Sequence, residues 1–218
     1  MPARALEPSG ILLVDKPAGP TSFAIVARVR RRTGARTGHA GTLDPFATGL
    51  LVVLSGAATR HQQRFTRLDK RYVTDVDVTV RTSTGDPEGD LVEDHEPPPI
   101  EELHDMLEGL RGVVELPVPA ASAVKIGGER AYRLHRRGVV VEMPVRAMDV
   151  KELALEGYAG GIARLSLVVS SGTYVRSIAD ALGGHCVALR RTEVGPFGVE
   201  EADPDRIIPV DEALARLA

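Results

Sequence analysis

The chain has 218 residues, 43% of them hydrophobic, and its 27 basic and 30 acidic side chains leave a net charge of -3. That is enough for one good core in an ordinary globular protein, with at most a small appendage. The single cysteine, Cys186, excludes an internal disulfide framework or a cysteine zinc site and suits the cytoplasm, no stretch reaches the roughly 18 apolar residues of a membrane span, and the N-terminus has no secretory pattern.

Residues 1–9 read as a loose leader, and residues 10–14 as a short apolar strand ending in the dense turn signal of 15–20. Thr21 or Ser22 caps a helix with Phe23, Val26, Ala27 and Val29 facing in and arginines facing out, until Gly34 stops it. After the polar turn that begins at Gly38, residues 50–54 form a buried strand and residues 56–68 a second basic helix. Residues 70–81 alternate as a half-buried antiparallel strand with Tyr72, Thr74, Val76, Val78 and Val80 on one face. Residues 82–90 are a loop, and Ile100, Leu103, Leu107 and Leu110 mark an amphipathic helix.

Two prolines keep residues 116–125 out of any central strand; with the Gly127-Gly128 turn and a basic helix over 129–137 they suggest a protruding, positively charged arm. Residues 139–158 and 162–169 alternate as strands joined at Gly160-Gly161. A helix over 174–182, a short strand over 187–189 and a helix over 211–217 complete the chain. The pattern predicts one α+β domain around a mixed, mostly antiparallel sheet.

Charge is segregated. Arg28, Arg30, Arg31, Arg32 and Arg36 form one basic block; Arg60, Arg64, Arg67, Lys70 and Arg71 a second; Arg130, Arg133, Arg136 and Arg137 a third. Residues 86–108 carry ten acids and no lysine or arginine. Each block alone reads as a solvated helix face; together they can steer a polyanion such as RNA or DNA.

The blocks flank residues 38–51, GHAGTLDPFATGLL, where Asp44 is the sole acid between Asp15 and Asp69. Pro45 keeps Asp44 out of helical geometry, and the apolar run that follows anchors the turn to the core, a setting suited to a catalytic group. The residues alone equally admit a turn-opening aspartate. The six histidines form no HxH or HExxH pattern, and phosphate-loop and nucleophile-elbow motifs are absent, so metal, nucleotide and triad chemistry are unsupported. What remains is Asp44 with His39, Tyr72 and the GTYVR run 172–176: a carboxylate, an arginine to hold it ionised, and tyrosines to sandwich a planar base.

Residues 38–51 resemble the signature of the TruB family of tRNA pseudouridine synthases. GILLVDKPAGPTS (10–22), DKRYV (69–73), SAVKIGGERAY (122–132), GTYVRS (172–177) and LRRT (189–192) follow in that family's order, covering nearly the whole chain. The resemblance implies a pseudouridine synthase fold over residues 1–218 with a mobile thumb at about 117–145. It implies isomerisation of uridine 55 in the T-arm of elongator tRNAs by base flipping, with no cofactor and no metal, in a cytoplasmic enzyme expected to be monomeric with no obligatory protein partner. It makes Asp44 the catalytic carboxylate, attacking either the ribose anomeric carbon or the uracil ring. Tyr72 would stack on the uracil, Arg176 would pair with Asp44, Tyr174 and Leu189 would line the base pocket, His39 would fill space left in the T-loop, and Lys16 and Lys125 would make backbone or structural contacts.

Three departures are visible. The chain stops near Ala218, where similar bacterial enzymes continue into an RNA-binding PUA domain, so weaker acceptor-side affinity is expected; residues 182–189 are shorter than the family pattern; and Ala121 stands where an aromatic is common. Two rival functions are a non-catalytic tRNA-binding or tRNA-folding module and a synthase acting on another stem-loop RNA.

Overall fold

The computed structural model describes residues 9–217, so the leader read over residues 1–8 lies outside the described residues. The described residues fold into two compact units: residues up to 72 together with those from 189 onward, and residues 73–188.

The first unit begins with β1 (Gly10–Lys16) and α1 (Ser22–Thr33). Thr21 is the N-cap, its hydroxyl accepting from the Ala24 N–H at 3.1 Å, and Gly34 closes the helix at φ 68°. Ser22, Ile25, Val26 and Val29 face inward. Phe23, predicted to be buried, is 75% exposed, because Ser22 takes the inward position for a hydrogen-bonding role described below and a helix turns the next residue about 100° away. β2 (Thr37–His39) and β1 both pair antiparallel with β3 (Thr48–Ser55). β1 and β3 are apolar on both faces and almost wholly buried, as a strand covered on each side must be.

The second basic helix is split: a 3-10 turn (Gly56–His61) leads into α2 (Gln62–Thr66). Phe65 on α2 meets Phe197 with ring centroids 6.0 Å apart, in a core that also takes Ile11, Leu13, Leu50, Val52 and Leu54.

β4 (Lys70–Asp77) carries the chain into the second unit with the expected alternation, Lys70, Tyr72, Thr74 and Val76 buried. It stops at Asp77, whose carboxylate accepts from the N–H and hydroxyl of Thr79, turning the chain two residues on. The loop read over 82–90 proves to be the tip of a hairpin, β5 (Val80–Thr82) with β6 (Leu91–Asp94). α3 (Ile100–Gly109) buries Leu103 and Leu107. β7 (Gly112–Pro117) ends where Pro117 removes a ladder donor.

The predicted arm follows: β8 (Lys125–Ile126) and β9 (Glu129–Arg130) form a small hairpin, and α4 (Ala131–Arg136) sets Arg133 and Arg136 over the Tyr132 ring at 5.9 and 5.8 Å. β10 (Val145–Ala159) pairs with β7 and, through the Gly160-Gly161 turn, with β11 (Ile162–Val169). α5 (Val175–Ala181) buries Val175 and Ile178.

β12 (His185–Val194), longer than the three residues expected, returns the chain to the first unit and lies parallel to β3. β13 (Phe197–Gly198) pairs with β12; β14 (Ile208–Pro209) pairs with β1; α6 (Val210–Ala215) closes the fold. The α+β class with a mostly antiparallel sheet is borne out. Among the described residues no helix is long and apolar enough to cross a membrane.

Candidate active site

In the first unit the Asp44 loop is held by its own backbone. Gly19 N–H donates to Pro45 O at 2.8 Å, and Ala40 N–H to Val52 O at 2.9 Å. The Ser22 hydroxyl accepts from Leu43 N–H at 2.8 Å and donates to Leu43 O at 2.9 Å, clamping the residue before Asp44. Lys16, fully buried, donates its ammonium to Pro17 O, Pro45 O at 3.1 Å and Ala47 O at 2.6 Å. The turn is thus tied on both sides of the carboxylate, which satisfies carbonyls that would otherwise be buried unpaired.

Gly49 is the register partner of Lys16 on β1 and of Arg191 on β12. Its φ of +101° and the approach of β12, where a Cβ would lie 2.7 Å from Arg191 N, leave room for glycine alone. Arg191 is 1% exposed and donates from Nε to Leu50 O at 2.7 Å and from Nη2 to Gly41 O at 3.1 Å.

Burial, and then the charge of Arg191, push the His39 imidazole below its ordinary value. The same two causes lower Lys70 to about 8, against the opposing pull of Asp69. Burial lowers Lys16 as well, opposed by the nearby Asp44 carboxylate and reinforced by Arg191. Lys16, His39, Asp44, Lys70 and Arg191 therefore form one electrostatic neighbourhood. His39 Nδ1 is buried with no hydrogen-bond partner, while Gln62 fixes its backbone by donating to His39 O at 2.8 Å. Tyr72 lies buried on the same face of β4 as Lys70, and Leu189 on the same face of β12 as Arg191.

In the second unit Tyr174 is the residue capping α5, and Arg176 sits on its first turn at 3% exposure. Arg176 donates from Nη1 to Thr84 O at 2.7 Å and from Nη2 to Ala121 O at 3.0 Å, and its Nη1 lies 3.2 Å from Asp86 Oδ2. Lys125 is exposed on the arm hairpin, paired in register with Arg130, apart from the Arg176 network.

Four residues of these networks were missed as site residues. Ser22 was read only as a cap, Lys70 only as a member of a basic block, and Arg191 only as part of the LRRT run; their burial depends on the elements packed around them. Asp86 was lost in a Gly/Asp-rich loop, although an acid between Gly85 and Pro87 is the signal of an ordered turn. Among the described residues, no group of three histidine, cysteine or acidic side chains is arranged to hold a metal ion.

The family described as "TruB family pseudouridylate synthase (N terminal domain)" matches residues 29–175. The tRNA pseudouridine synthase B of Thermobifida fusca (strain YX) is 44% identical over 210 residues, covering 88% of this chain and 72% of the relative. That of Corynebacterium jeikeium (strain K411) is 40% identical over 237 residues, covering 97% and 77%. Among solved structures, a chain of a Cbf5-Nop10-Gar1 complex superposes with a TM-score of 0.66 at 27% identity, over 87% of this chain and 50% of that one. A pseudouridylate synthase superposes with a TM-score of 0.51 at 17% identity, over 98% and 76%, a likeness of fold.

Proposed function

This chain belongs to the TruB family of pseudouridylate synthases, isomerases that act on tRNA, and from that premise we propose that it converts uridine 55 in the T-arm of elongator tRNAs to pseudouridine. The observation that carries the reading is the Asp44 loop, whose carbonyls on both sides of the carboxylate are taken by buried Lys16 and Arg191 while Ser22 clamps the preceding residue. So much fixed backbone around one acid is what a reacting carboxylate needs and a turn-opening aspartate does not.

The conversion exchanges bonds without net addition. The N1–C1′ bond of the target nucleoside breaks, the uracil turns, a C5–C1′ bond forms, C5 gives up its proton and N1 gains one. In this reading Asp44 is the reacting carboxylate, and Tyr72 stacks on the everted uracil and helps to remove the C5 proton to water. Tyr174 and Leu189 would serve the base, and Arg176 would keep the reacting carboxylate ionised. Eversion costs a few kcal/mol of stacking, which those aromatic and apolar faces offset. His39, low in proton affinity and with an open ring nitrogen, enters the loop the base has left. The basic residues supply sequence-blind phosphate attraction, and the folded T-arm supplies the shape that is recognised.

The test is tritium release from tRNA transcripts bearing 5-tritiated uridine, with the modified position mapped on the product. Wild type should release label from position 55 and Asp44→Asn should release none. Equal release from both, or release from another position alone, would refute the assignment.

A further inference from the structure

We propose that Arg191 is a positioning residue for the reaction: its buried guanidinium grips Gly41 O and Leu50 O, the two ends of the Asp44 loop, and so sets where the carboxylate stands. The inference rests on the reading of Asp44 as the reacting group and adds to it a residue outside the base pocket.

Burying a guanidinium is costly, and an apolar side chain of similar volume usually serves stability as well or better. Arg191 is among the largest fully buried side chains, and the acceptors at its Nε and Nη2 are neutral carbonyls. Those carbonyls lie on opposite sides of Asp44 along the chain. Lys16 takes an inner pair of carbonyls, Pro45 and Ala47, both after the aspartate. Arg191 instead spans the loop from entry to exit through one side chain. A planar fork can serve two acceptors in fixed directions, which a lysine ammonium on a flexible stem cannot reproduce.

The glycines fit this role. At Gly41, φ is +101° and a Cβ would lie 3.4 Å from Arg191 Nη1, so the loop backbone closes onto the guanidinium. At Gly49, β3 presses onto the backbone of Arg191 itself, so the root of the side chain is fixed to the strand that leaves the loop. The same charge is felt by Lys16, His39 and Lys70, which places it at the centre of the neighbourhood.

The test compares wild type, Arg191→Lys, Arg191→Gln and Asp44→Asn in the full chain, on a tRNA transcript, by single-turnover tritium release, tRNA affinity and thermal melting. Both Arg191 variants should lose about 10- to 100-fold in rate per folded molecule, with the affinity for tRNA changed by less than about twofold, because a misplaced reacting group costs rate without costing binding. The lysine variant should retain more rate than the glutamine variant. A lowered melting temperature with an unchanged rate per folded molecule would overturn the proposal and leave Arg191 a structural residue. Should neither variant fold, hydrogen exchange in the wild type decides: amides of residues 41–47 must exchange as slowly as those of β1 and β3, and exchange as fast as in exposed residues 203–206 overturns the proposal. Activity in Asp44→Asn would instead sink the functional reading, separately from the Arg191 result.

Discussion

Arg176 and Asp86 form an ion pair, Nη1 to Oδ2 3.2 Å, with side-chain exposures of 3% and 8%. Asp86 is itself held: its Oδ1 accepts from the Thr84 hydroxyl at 2.6 Å and from Glu88 N–H at 3.1 Å. The Thr84–Asp86 turn wraps the root of Arg176 so closely that a Cβ on Gly85 would stand 3.3 Å from Arg176 Cβ. One hairpin tip therefore fixes both the charge and the direction of the arginine.

Asp86→Ala would leave a buried guanidinium facing an empty acceptor site. Removing one partner of a buried pair costs about 3–5 kcal/mol, and a domain of this size melts roughly 2–4 °C lower per kcal/mol. The carbonyls of Thr84 and Ala121 keep part of the guanidinium satisfied, so a fall near the low end of that range is expected by scanning calorimetry. A melting temperature within about 2 °C of wild type would show that the pair contributes little.

Lys70 offers a pH signature. Its ammonium donates to Thr66 O and Leu68 O, yet burial and Arg191 lower it from 10.5 to about 8. A group whose folded value lies below its unfolded one binds fewer protons when folded. Stability should therefore rise with pH between about 8 and 10.5, as the unfolded chain alone keeps the proton, and this contribution should be flat below about 8. The full shift corresponds to about 3 kcal/mol. Urea unfolding of wild type and Lys70→Met at pH 7.5 and pH 10 checks it: the stability difference between the two proteins should change by roughly that amount in the direction that favours wild type at high pH. A pH-independent difference would rule out the lowered value.

Much of the fold could be read from pattern. The apolar runs of β1 and β3, the alternation of β4 and the glycine turn between β10 and β11 each follow from one period or one punctuating residue. What failed did so for tertiary reasons. Phe23 faces out because Ser22 is needed inside at Leu43, and β6 was missed because Leu91-Val92-Glu93-Asp94 is wholly exposed and carries no apolar face to signal a strand. The site was half legible. Asp44 and Arg176 announce themselves as isolated charges among uncharged residues, whereas the buried roles of Arg191 and Lys70 depend on strand neighbours more than a hundred residues away in the chain. Composition treats every arginine in a basic run alike; burial separates Arg191, which holds backbone, from Arg190, which pairs with Asp15 at the surface.

The arm should act through charge. Arg133 and Arg136 are exposed and flank Tyr132, while Arg137 is engaged with Glu129 at 2.8 Å. If tRNA lies against α4, replacing Arg133 and Arg136 together by glutamine should lower the slope of log affinity against log salt by roughly 1 to 2, at about 0.7–0.9 for each phosphate that is no longer neutralised. The single-turnover rate at saturating enzyme should stay near wild type, because these arginines carry no information about the target base. An unchanged salt slope would remove α4 from the RNA-bearing surface.

Gly49 and Gly172 separate crowding from backbone strain. Both have positive φ, +101° and +96°, but a Cβ at Gly172 meets nothing within 4 Å, whereas at Gly49 it enters the backbone of Arg191. Gly172→Ala should cost only the left-handed conformation, about 1–2 kcal/mol. Gly49→Ala must in addition force β3 and β12 apart at the point where Lys16 and Arg191 enter the Asp44 loop. It is expected to lower the melting temperature well beyond the Gly172 variant and, in whatever fraction folds, to abolish the ordered spacing that holds Asp44. Equal melting of the two alanine variants would mean that β12 yields to the new methyl group, and that the close approach at Gly49 is not what fixes the loop.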